Sequence, residues 1–216
     1  MKRAEVVRDY GGISASDRRA ERRRKLLAAG RRIWGESGIT EVTVRGVCGA
    51  AGLTPRYFYE QFPNRESLLF AVADGARDET LQALVAAGLG EPGSLADKLR
   101  SGVKAFLDII AADPHLHRIA TSDLTTVPGL TEHRAQVLDI ITDLVIQYAP
   151  DILGPDTPNP IELRRTALFM VGGANQIIER WLTDPKETTA ELAAICADLC
   201  VGVIRGVIAS REKLAP

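Results

Sequence analysis

Apolar residues recur along this chain three and four positions apart, the spacing that gathers them on one face of an α-helix. Leu26, Leu27, Ile33 and Trp34 keep that period in a segment that opens at Asp17, with Ser16 placed to cap it and Gly38 to end it. Two short helices are predicted over residues 43–51 and 54–61. A longer one is predicted over residues 64–87, capped by Asn64 and carrying Leu68, Leu69, Val72, Ala76, Leu84 and Val85. Breakers then gather in residues 88–94, at Asp113-Pro114 and at Val127-Pro128-Gly129, so the helices that follow should be separated by short gaps. Residues 150–160 hold four of the eleven prolines and should divide a helix ending at Tyr148 from one starting near Glu162. No segment alternates apolar and polar residues between hairpin turns. The pattern therefore predicts an all-α chain of about nine helices and no sheet.

The last predicted helix, residues 187–211, carries a single stripe that includes Leu192, Ile195, Cys196, Leu199, Val203 and Ile204. Its predecessor differs in being apolar around most of its girth, with Leu163, Leu168, Phe169, Met170, Ile177 and Trp181. One core face does not need so many. A symmetric copy covering the remainder predicts a homodimer through the last two helices, with Gly172, Gly173, Gly202 and Gly206 permitting close approach. The alternative is a helix at the centre of a larger single-chain core.

Composition refines this picture. With 216 residues and 45% hydrophobic content, the chain can bury one or two cores without covalent staples. Its net charge of −1 conceals a division: residues 1–65 carry 14 Lys and Arg against 7 Asp and Glu, the rest 13 against 21. A basic module beside an acidic remainder fits a phosphate-contacting domain joined to one that does not touch nucleic acid. Three segments are expected: a flexible arm over residues 1–15 containing Gly11 and Gly12, a DNA-binding domain over residues 16–65, and a larger domain over residues 66–216. An odd number of cysteines and the lack of a leader-like start predict a cytoplasmic protein. Charged residues are expected to interrupt every apolar stretch, so no membrane partner is expected.

Residues 43–62 have the grammar of a helix-turn-helix. Val44 and Val47 face inward, Ala50, Ala51 and Gly52 make a tight corner, and Thr54 caps a second helix whose first position is Pro55. Phe58 and Phe62 anchor the core side, leaving Arg56, Tyr57, Glu60 and Gln61 outward. The whole run of residues 43–69, from Thr-Val-Arg-Gly-Val-Cys-Gly-Ala-Ala-Gly-Leu-Thr-Pro-Arg-Tyr-Phe-Tyr-Glu-Gln-Phe onward, resembles the signature of TetR-type bacterial transcriptional regulators. The resemblance covers about residues 17–70. It implies a three-helix DNA-binding domain, a helical C-terminal domain for ligand binding and dimerisation, and a repressor released by a small-molecule effector. It also implies roles. Thr43, Thr54 and Tyr59 would contact phosphates, Arg65 would hold the DNA backbone at the start of the fourth helix, and Pro55, Arg56 and Tyr57 would face base edges. Gln61 is also expected among the DNA-binding residues, although Tyr57 stands where the family usually has a small residue and Gln61 where it usually has an aromatic residue or histidine.

The cluster Arg18, Arg19, Arg22, Arg23, Arg24 and Lys25 either follows the sugar-phosphate backbone or is a solvated helix face. Cys48, Cys196 and Cys200 fall on apolar faces and are expected in the core. His115, His117 and His133 lack neighbours at ligand spacing, so no metal is expected, although any of them could touch an effector. No phosphate loop, nucleophile elbow or zinc-protease motif is present, and neither catalysis nor a cofactor is expected. The expected partners are a near-palindromic double-stranded operator, a second copy of the chain and a small, largely apolar effector. The rival reading is a helical interaction or ligand-carrier protein whose helix-turn-helix only packs.

Overall fold

Helix boundaries follow the caps. Ser14 accepts a hydrogen bond from the Asp17 amide at 3.0 Å while the Asp17 carboxylate accepts from the Ser14 amide, a reciprocal capping box that opens α1, Ala15–Ser37. The helix therefore starts two residues before Asp17, with Ser14 rather than Ser16 as its cap. The computed structural model describes residues 14–214, with side chains through Ser210. Residues 1–13 of the expected arm lie outside the described residues, and its last two belong to the start of α1.

The remaining helices are α2 (Val44–Ala51), α3 (Pro55–Tyr59), α4 (Arg65–Gly90), α5 (Leu95–Ala112), α6 (Pro114–Ala120), α7 (Leu130–Leu153), α8 (Pro160–Thr183) and α9 (Thr189–Leu214). Three short 3-10 turns join them, and no strand occurs among the described residues. Two compact units result, one ending at Val72 and one beginning at Ala73, so the boundary falls inside α4.

In the first unit α1, α2, α3 and the opening turns of α4 close around Leu26, Trp34, Val47, Phe58, Leu68 and Leu69, all fully buried. Gly30 lets α1 and α4 approach, since a Cβ there would lie 3.2 Å from a Leu68 methyl. The corner between α2 and α3 is a Schellman turn. Gly52 takes a left-handed φ of 66°, its amide bonds to the Gly49 carbonyl, and the Leu53 amide reaches back to Cys48 at 2.9 Å.

In the second unit α5 packs along α9, α7 along α8, and α8 against α9. Leu107, Ile110, Trp181, Leu182, Leu192 and Cys196 form its core. Polar groups at the rim are satisfied: Trp181 Nε1 donates to the Glu187 carbonyl at 2.8 Å, and the Thr189 hydroxyl donates to Asp108 at 2.6 Å. The Asp108 carboxyl is held below its ordinary range by Lys104 and by Thr189.

Three sequence expectations need correction. The first concerns α4, which continues through Gly88 to Gly90 instead of stopping at residue 87. Gly88 and Gly102 serve there as a contact between α4 and α5: a Cβ on Gly102 would stand 2.9 Å from the Leu84 carbonyl oxygen, and one on Gly88 would stand 3.2 Å from that of Lys98. Secondly, α7 runs through Pro150 to Leu153. A proline in the last turn forfeits a single amide bond near a helix end, where its ring is tolerated more readily than at mid-helix. The third correction concerns α9, whose stretch Thr189–Ser210 is long and apolar enough to cross a membrane, despite its Glu191, Asp198 and Arg205. Only 28% of its most apolar window is buried within the chain, and Ile195 and Leu199 stand exposed. On α8, Ile161, Leu168 and Phe169 are exposed too, Phe169 by 69%.

Candidate nucleic-acid interface

Thr43 caps α2, its hydroxyl accepting from the Gly46 amide at 3.0 Å. Thr54 precedes α3 in extended conformation, and Pro55 takes the first helical position, where a missing amide proton is harmless. The Thr54 hydroxyl makes no capping bond. Phe58 and Phe62 seat α3 on the core, with ring centroids 5.7 Å apart and Phe58 wholly buried. Seating one face of so short a helix turns the other outward. Arg56 is 85% exposed along its side chain and Tyr59 is 58% exposed, its ring edge-on to Phe58 at 5.4 Å. Tyr57 is exposed at the same surface.

Glu60, just past the last residue of α3, ties this surface together. Its carboxylate lies 3.4 Å from Arg56 Nε and 3.7 Å from Arg22 Nη2, and its carbonyl accepts from Arg19 Nη2 at 3.3 Å. The Arg22 guanidinium sits over the Tyr57 ring at 4.7 Å, and that of Arg23 over Phe62 at 4.6 Å. Part of the basic cluster on α1 is therefore applied to α3 rather than spread into solvent. Sequence reasoning left that cluster undecided between two uses and assigned Glu60 only to an outward face. The i, i+4 spacing of Arg56 and Glu60 was available as a signal. The reach of Arg22 to both Glu60 and Tyr57 depends on how α1 and α3 pack, which spacing does not reveal.

Two of the expected site residues stand apart. Gln61 lies beyond the end of α3, half-buried, with its amide nitrogen enclosed and without a hydrogen-bond partner. Arg65, at the start of α4, is only 26% exposed: its Nε donates to the Val42 carbonyl and its Nη2 to the Ile39 carbonyl at 2.6 Å. It fixes the connection leading to Thr43. Cys48 is buried on the inward face of α2, and burial pushes its thiol up.

The second unit contains a cavity of about 250 Å³ among α4, α5, α7, α8 and α9. Its wall is almost wholly hydrocarbon, from residues such as Leu84, Phe106, Ile141 and Ile178. Lys98 is the one charged residue of that wall, and its ammonium donates to the Glu91 carbonyl at 2.5 Å. Tyr148, Thr166, Asn175 and Cys200 bring the remaining polar groups. None of the three histidines lines the cavity. His117 hydrogen bonds to the Leu182 carbonyl at 2.9 Å, and His133 to Asp74 at 2.8 Å. No group of three metal-ligating side chains occurs among the described residues.

Residues 26–72 match the family model described as bacterial regulatory proteins, tetR family. No curated protein matches the chain in sequence. Among solved structures, a tetR-family transcriptional regulator from Streptomyces coelicolor superposes with a TM-score of 0.70 at 19% identity, covering 90% of this chain and 84% of that one. The fatty acid degradation regulator FadR from Bacillus halodurans gives 0.62 at 17% identity over 89% and 96% of the two chains. The repressor AlkX from Dietzia, implicated in n-alkane biodegradation, gives 0.60 at 19% over 86% and 96%. At these identities the likeness concerns the fold.

Proposed function

We propose that this chain, whose residues 26–72 match the tetR-family model, is a transcriptional regulator of that kind, repressing transcription as a homodimer released from its operator by a small apolar effector. The observation that carries this reading is the outward face of α3, where Arg56 projects from a helix locked by Phe58 on a surface edged by the arginines of α1. Arg56 reads guanine through O6 and N7 in the major groove, with Pro55 and Tyr57 beside it against base edges. Thr43, Thr54 and Tyr59 contact phosphates. Gln61 and Arg65 act from behind the surface, Arg65 by holding the carbonyls that lead into Thr43.

A second copy of the chain is proposed to cover the exposed apolar residues of α8 and α9, setting two recognition helices about 34 Å apart on successive turns of a near-palindromic site. Such a partner gives α9 an apolar cover other than lipid, which is compatible with the cytoplasmic location proposed for the chain. The cavity supports the effector reading: its wall suits a ligand that is uncharged along most of its length, because it is almost wholly hydrocarbon with Lys98 as its one charged residue. An effector shifts the equilibrium only by binding one conformer better than the other. The fatty acid degradation regulator FadR and the repressor AlkX, implicated in n-alkane biodegradation, are similar in fold and consistent with ligands of this kind.

The test is fluorescence anisotropy on duplexes selected from a random pool, against a scrambled duplex across a salt series. A specific regulator prefers the selected duplex by about a thousandfold or more and shows a steep salt slope. A carrier whose helix-turn-helix only packs shows neither, and that result would refute the proposal.

A further inference from the structure

Glu60 places a carboxylate on the surface that the proposed function turns toward DNA, where its charge opposes every phosphate. A negative group in that position weakens generic affinity. Its surroundings show what it does instead. One oxygen faces Arg56 Nε at 3.4 Å and the other faces Arg22 Nη2 at 3.7 Å. Arg22 in turn covers the Tyr57 ring at 4.7 Å, and Arg19 holds the Glu60 carbonyl at 3.3 Å. The chain of contacts runs Arg56, Glu60, Arg22, Tyr57, so both of its ends are side chains assigned to base edges.

An arginine exposed by 85% samples many rotamers and loses that freedom when it binds. A carboxylate one helical turn along restricts it beforehand. We propose that Glu60 is a positioning residue for sequence recognition: without touching DNA, it holds Arg56 directly and Tyr57 through Arg22 in the orientation that meets base edges. Removing its charge exchanges selectivity for general stickiness, because both arginines then turn to the nearest phosphates. The inference rests on α3 being the element that enters the groove.

The experiment uses the full-length protein and the variants Glu60→Gln, Glu60→Asp and Arg22→Lys. The probes are a duplex selected from a random pool by the wild type and a scrambled duplex of the same length and composition. An amide of equal size on an exposed position leaves the fold intact, which thermal melting of each variant verifies. In Glu60→Gln the ratio of selected to scrambled affinity falls by about tenfold, affinity for the scrambled duplex holds or rises, and the salt slope steepens. Glu60→Asp recovers part of the ratio. Arg22→Lys keeps the charge but loses the flat guanidinium over Tyr57, so its ratio falls with the slope unchanged. A ratio in Glu60→Gln within twofold of the wild type overturns the inference, as does an equal loss of both affinities, the mark of a merely structural group. If the wild type itself prefers no duplex, the functional reading falls first and takes this inference with it.

Discussion

Arg56 and Arg65 bring the same charge to opposite settings. Arg56 has an exposed guanidinium with one carboxylate nearby, so Arg56→Ala is expected to leave the melting temperature unchanged while costing about 1–3 kcal/mol of affinity at a selected duplex, read by anisotropy. Arg65 has two nitrogens committed to the carbonyls of Ile39 and Val42. Removing it strands two acceptors, so Arg65→Ala should lower the stability of the N-terminal unit by about 1–3 kcal/mol in urea denaturation. Lysine cannot span both carbonyls with one ammonium, and Arg65→Lys should recover only part. The exposure of Arg56 was legible in the sequence because Phe58 in its helix and Phe62 just beyond declare the inward face. The partners of Arg65 were not, since they are backbone atoms 23 and 26 positions earlier that no residue type announces.

Whole helices were more legible than their ends. Capping residues marked the starts of α2 and α4 correctly, Thr43 binding the Gly46 amide and Asn64 the Ser67 amide. Gly88 and Pro150 were misread as stops because a breaker's local cost can be outweighed by packing. Gly88 stays helical where α4 must meet Gly102 closely. That contact predicts that Gly102→Ala, which would set a methyl 2.9 Å from the Leu84 carbonyl oxygen, destabilises the C-terminal unit by about 1–3 kcal/mol, measurable as a lower urea midpoint. On α9, burial pushes the Cys196 thiol from 9.0 up to about 11, with neighbouring Cys200 adding to the shift. The folded state then holds a proton that the unfolded chain releases. The Cys196 contribution to stability is therefore level below pH 9 and falls as pH rises from about 9 to about 11, a decline that urea titrations should find smaller in Cys196→Ala.

At the scale of the whole molecule, the apolar girth of α8 and the apolar stripe of α9 were legible in the sequence, whereas the share of them left outside one chain was not, because burial is a property of the assembled fold. Phe169 and Leu199, exposed by 69% and 54%, mark that surplus. Phe169→Glu should convert dimers into monomers in sedimentation experiments and, with half the contacts per particle, weaken operator binding far more than Arg56→Ala does. The hydrocarbon cavity has a different consequence. A wall with few directional polar contacts gauges girth and length more than functional groups, and each added methylene that fits contributes about 0.8 kcal/mol, roughly fourfold in affinity. Neighbouring homologues would then elicit overlapping, graded responses. If the proposed effector binds there, the switch would report the presence of a greasy class of molecules, and its threshold would follow the blend in the cell rather than any one metabolite.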